Sequence, residues 1–89
     1  MTPQFIEEVV RKAEAILSIR EEEGIEPARA LWNVLDKETN ELRGDLPSHV
    51  FDLIIQVEFL MEDDPMADIS EAKHCLYLSK SSLLNEKGR

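Results

Sequence analysis

Apolar residues recur along this chain at helical intervals, and no stretch alternates apolar and polar residues as a half-buried strand would. The punctuation agrees with that period. Proline suits the first turn of a helix, where its missing N–H would be unpaired anyway, and glycine suits the position just past a helix end. Pro3, Pro27, Pro47 and Pro65 therefore mark four helix starts, and Gly24 and Gly44 mark the ends of the first two helices.

The segment 3–22 places Phe5/Ile6, Val9/Val10, Ala13 and Ile16/Leu17 on one stripe, with Glu7 to Arg11 and Glu8 to Lys12 as favourable i, i+4 pairs outside it. The segment 27–42 places Ala28, Leu31, Leu35 and Leu42 on one face, with Trp32 at its edge. In 47–62, Val50, Leu53, Ile54, Val57, Leu60 and Met61 form one apolar face, and Phe51, Ile55 and Phe59 form a second row at i, i+4 and i+8. A helix apolar round most of its circumference is either the central helix of a bundle or is covered by another chain. The segment 66–84 turns Ile69, Ala72, Leu76 and Leu83 inward and His74 and Leu78 toward the opposite side. The pattern predicts an all-α, small four-helix bundle formed as one domain over residues 1–85, with 86–89 as a frayed tail.

Composition sharpens this picture in three ways. With 43% hydrophobic residues, the 89-residue chain has enough apolar surface to fold. A domain of this size buries only about 60–65% of its unfolded surface, so a partner can add to its stability. One cysteine, Cys75, makes no internal disulfide, no secretory pattern opens the chain, and no apolar run approaches the ~20 residues of a membrane span. A reducing, cytoplasmic setting is expected. The net charge of −9 opposes binding to a phosphate backbone, and it is uneven: residues 1–72 carry −12 and residues 73–89 carry +3.

The stretch "MEDDPMADISEAKHC", Met61 to Cys75, holds the densest candidate chemistry. Glu71 and His74 stand one turn apart, as ligands do in carboxylate-bridged di-iron bundles. Such a site needs two E-x-x-H pairs, and the chain has one. His49 has Leu46 at i−3, so a metal-binding helical dimer would need both copies, with Glu58 or Asp52 completing the set. Calcium is disfavoured because the stretch lacks the glycine and the alternating ligands of an EF-hand loop. Zinc is disfavoured because adjacent His74 and Cys75 diverge by about 100° round a helix. Acidic surroundings raise a thiol pKa and argue against a catalytic Cys75. No catalytic group, metal or cofactor is therefore assigned. Asp64 before Pro65 reads as a helix cap, and "DISE", Asp68 to Glu71, reads as a capping-box variant if the helix begins later.

Two surfaces remain. One is an acidic face of Glu21, Glu22, Glu23, Glu26, Glu62, Asp63, Asp64 and Asp68, suited to steering a basic protein or simply to solubility. The other is the apolar row Phe51, Ile55 and Phe59, joined by Leu78, which belongs either to a protein interface or to the core. The expectation is a non-enzymatic protein that binds a basic protein partner, with no direct nucleic-acid or membrane binding. A homodimeric assembly subunit is the alternative. In size and charge the chain is similar to small acidic helical inhibitors such as the immunity proteins that neutralise nuclease toxins, a likeness that no residue motif carries.

Overall fold

The computed structural model describes residues 2–87, and leaves the side chains of Glu86 and Lys87 undescribed. It is an all-α four-helix bundle: α1 (Pro3–Glu22), α2 (Ile25–Thr39), α3 (Ser48–Glu58) and α4 (Ser70–Lys87). A 3₁₀ segment, Asn40–Asp45, follows α2, and a π-helical segment, Phe59–Asp63, extends α3. None of the described helices is long and apolar enough to cross a membrane. The last two residues of the expected tail lie outside the described residues, while α4 runs on to Lys87.

Local chemistry accounts for the boundaries. Thr2 caps α1 by accepting the Phe5 N–H at 3.2 Å, with Pro3 in the first turn. The chain then reverses at Gly24, whose φ of +107° strains any residue with a Cβ. Gly24 admits α2 at Ile25, two residues before Pro27, so that proline sits within the first turn. Gly44 makes no comparable turn: it lies inside the 3₁₀ segment and carries no positive φ. The α-helical part of α2 ends at Thr39, a fully buried residue whose hydroxyl returns to the Leu35 carbonyl at 2.8 Å.

Helix α4 begins at Ser70 rather than at 66, because Pro65 occupies a turn. Asp64 Oδ1 accepts the Met66 N–H at 3.2 Å, and Asp68 Oδ1 accepts the Ser70 N–H at 2.9 Å and its hydroxyl at 2.8 Å. These carboxylates satisfy the backbone of a tight bend two residues ahead, which is the later helix start that "DISE" allowed.

Helix α1 packs against α2, α3 and α4, whereas α2 meets the third helix chiefly through the π segment. Val9, Ala13, Ile16 and Leu17 of α1 interlock with Trp32, Leu35, Leu53, Ile54, Val57, Leu60 and Met61. Trp32, expected at an edge, is fully buried and is the largest buried side chain. Leu42, expected inside, is 36% exposed, because the switch to 3₁₀ geometry rotates it off the α2 stripe. On α4 the buried set is Ala72, Cys75 and Ser79, with Leu76 and Leu83, and Ile69 just before the helix, packed at its margin. Ser79 is accommodated by bonding its hydroxyl to the Cys75 carbonyl at 2.9 Å.

Charge pairing ties the outer surfaces. Arg43, half-buried over the Trp32 ring at 5.9 Å, binds Asp36 at 2.6 Å and Glu58 at 2.9 Å, linking α2, the 3₁₀ segment and α3. Two pairs join α1 to α4: Glu14 with Lys80 at 2.7 Å and Glu21 with Lys73 at 2.6 Å. As α1 advances seven residues, α4 retreats seven, so the two helices are antiparallel and the rungs lie two turns apart. Arg11 pairs with Glu8, and Lys12 reaches Glu38 on α2.

Reversing both lysines, Lys73→Glu with Lys80→Glu, is expected to lower the melting temperature, and adding Glu14→Lys with Glu21→Lys to restore much of the loss. Coupling of about 0.2–1 kcal/mol per exposed pair is expected from thermal or urea unfolding of the four-member cycle. Strict additivity would show that the rungs contribute nothing.

Candidate functional site

Three basic side chains gather the acidic stretches at one end of the bundle. The Arg20 guanidinium, in the last turn of α1, donates to the carbonyls of Pro65 and Ala67 at 2.7 and 3.0 Å. Arg29 of α2 donates to the Met61 carbonyl at 3.1 Å, and Lys73 pairs with Glu21. The contacts draw the 61–68 bend onto the α1–α2 turn. Glu21, Glu22, Glu23, Glu26, Glu62, Asp63, Asp64 and Asp68 consequently share one end, and all are exposed. Their roles differ: Glu21 and Glu26 hold Lys73 and Arg29, and Asp64 and Asp68 shape the bend. Glu22, Glu23, Glu62 and Asp63 have no such partner among the described residues.

Arg20 and Arg29 direct hydrogen bonds at backbone carbonyls, and this matters for the local field. From residue 44 to residue 72 the chain has no lysine or arginine and eight carboxylates. Among the described residues, only Glu58 of those eight forms a salt bridge.

The apolar row lies in the same stretch and is exposed: Phe51 at 37%, Ile55 at 36% and Phe59 at 41%. Helix α3 is thus not enclosed by the bundle. The reason is thickness, since the molecule measures 17 Å along its shortest axis, two layers at ordinary helix separations of about 8–10 Å. Each helix in two layers keeps one side in solvent. Leu78 is half-buried on α4, and Met66, Tyr77 and Leu84 are more exposed than the α3 row. Tyr77 and Leu84 edge a groove of about 600 Å³ between α1 and α4, floored by Leu17 and Leu76 and crossed by the Glu14–Lys80 and Glu21–Lys73 pairs.

That groove was not read from the sequence, yet a signal existed. Glu7, Glu14 and Glu21 recur at seven-residue intervals, as do Lys73, Lys80 and Lys87. Complementary charges at a heptad interval on two helices indicate an antiparallel pair side by side.

The remaining chemistry is sparse. Glu71 and His74 are both exposed, and among the described residues no group of three or more His, Cys, Asp or Glu is placed to hold a metal. Cys75 is buried, and burial, followed by the nearby Asp52 and Glu71 carboxylates, pushes its thiol pKa up, away from nucleophilic use. Trp32 Nε1 and Arg43 Nε are buried without an acceptor among the described residues. Compared with protein-family models, with curated proteins and with solved structures, the chain matches none.

Asp68 has a measurable signature. The Ser70 hydroxyl and then the Ser70 N–H hold its carboxyl below its ordinary value against the opposing effect of burial, and Arg20 and Lys73 add to the lowering. Because the folded pKa lies below the unfolded one, its contribution to stability is present above about pH 4 and is lost as pH falls through the folded value. Protonation is expected to speed exchange of the Ser70 amide, and Asp68→Ala to produce the same fast exchange at neutral pH. An Asp68 titration by NMR at an ordinary aspartate pKa would refute this account.

Proposed function

We propose that this chain is a non-enzymatic protein-binding module that acts in a reducing, cytoplasmic setting by docking on a basic protein and covering part of that protein's working surface. The observation that supports the reading most directly is the exposed Phe51–Ile55–Phe59 row within a stretch of 29 residues devoid of lysine and arginine. Apolar anchors inside a charged rim are the anatomy of a specific interface: the anchors supply affinity, and the rim supplies steering and partner choice. The acidic end at Glu22, Glu23, Glu62 and Asp63 extends the rim beyond Phe59. A positive partner would be attracted from about a Debye length, roughly 8–10 Å at physiological salt. Masking a nucleic-acid-binding surface fits this chemistry, because the carboxylates offer basic residues the charge that phosphates would.

The homodimeric alternative shares the apolar row but not the charge logic, since two copies would set like charges against each other.

Affinity capture from source cells supplies the partner, and its purified form supplies the test. The test variant carries Glu22→Gln, Glu23→Gln, Asp63→Asn and Asp64→Asn. The last of these substitutions retains a side-chain oxygen as an acceptor for the bend, so helicity should be unchanged. The association rate is expected to fall about tenfold at low salt, and the slope of affinity against salt to flatten. An unchanged rate and slope would remove the acidic end from the function.

A further inference from the structure

Resting on the reading of the α3 row as an interface, we infer that its occupant is a basic amphipathic α-helix laid along α3, with its own aliphatic or aromatic residues against Phe51, Ile55 and Phe59 and its lysines and arginines over the flanking carboxylates. The row fixes the shape of the partner. Residues at i, i+4 and i+8 form a ridge about 12 Å long at about 1.5 Å per residue. A ridge of that kind packs into the groove between rows on a facing helix, and about three turns of helix cover it. Exposure of all three side chains places the ridge within reach of such a helix without any rearrangement of the bundle.

Charge selects among occupants. Asp52 lies beside the row, and Glu62 and Asp63 follow Phe59 within about one turn; no base pairs with any of them among the described residues. The nearby guanidinium of Arg43 is committed to Asp36 and Glu58. A second copy is the obvious competitor, because a two-fold axis through Ile55 would set Phe51 of one copy against Phe59 of the other. The same axis would set Asp52 of each copy opposite Glu58 of the other and would bring no base to the rim, because the facing stretch 44–72 of the second copy has no lysine or arginine. A facing helix rich in lysine and arginine turns the same rim from repulsive to attractive. The α1–α4 groove lacks this selectivity, since Glu14, Glu21, Lys73 and Lys80 already neutralise one another across it.

The probe is a synthetic helical peptide of about 15 residues, with leucine at i, i+3, i+4, i+7 and i+8 and lysine at most other positions. A peptide of the same composition, permuted so that no leucine face forms, serves as the control. Titrated into the full ¹⁵N-labelled chain, the amphipathic peptide is expected to shift amides across residues 48–63 and to gain helicity on binding. Ile55→Asp and, separately, Phe51→Ser are expected to weaken it at least tenfold. Both positions are exposed, and circular dichroism of each free variant verifies its fold. Equal binding of the permuted peptide, shifts confined to 20–26 and 62–68, or no binding of either peptide would overturn the inference. Concentration-dependent sedimentation of the free chain as a dimer, abolished by Ile55→Asp, would overturn it in favour of a second copy. A captured basic protein whose affinity falls with the neutralised acids but ignores Ile55→Asp would overturn the inference while leaving the proposed function standing.

Discussion

Two layers of helix bury one side of each helix, and most of this molecule follows from how a short chain meets that constraint. Helix α1 has a single apolar stripe and is the element against which all three other helices pack. Trp32 fills the space beneath it, bringing a large apolar area into the core and leaving its N–H without an acceptor among the described residues. Burial of an indole outweighs one unsatisfied donor, whose cost is about 1–3 kcal/mol. Helix α3 has more apolar surface than one layer can cover. Its inner face is consumed by the core, and the surplus emerges as the Phe51–Ile55–Phe59 ridge.

Electrostatics arranges what packing leaves over. The bases that approach the 44–72 stretch are used for structure: Arg20 and Arg29 for backbone carbonyls of the bend, and Arg43 for the clasp between Asp36 and Glu58. Lys73 and Lys80 are taken up by the α1–α4 rungs. The unpaired carboxylates therefore accumulate beside the apolar ridge and at the adjoining end. Cationic side chains with structural duties thus leave an anionic surface, and the proposed affinity for a basic partner rests on that surface.

The acids of the Met61–Cys75 stretch divide along the same line. Asp64 and Asp68 are spent locally, each satisfying an N–H two residues ahead, and this moves the start of α4 from Pro65 to Ser70. Asp63 and Glu62 have no such task. Histidine and cysteine here have no geometry for shared chemistry, with His74 exposed and Cys75 buried on different sides of α4.

The helical period and the positions of proline and glycine determined the class of fold, the extent of α1 and most of the inward face of α3, because these depend on neighbours within one or two turns. The acidic character of the 61–68 bend was equally legible. Tertiary structure decided the rest. Trp32 moved from edge to centre because α1 and α3 close over it, and Leu42 moved outward because the chain tightens to 3₁₀ geometry before the Arg43 clasp. Pro27 and Pro65 were misleading as starts, since proline tolerates several first-turn and turn positions and only the capping contacts choose among them. Whether the Phe51 row lay inside or outside depended on how many helices surround α3. Periodicity along one helix defines its apolar faces, but only the packing of the others determines which of those faces is covered.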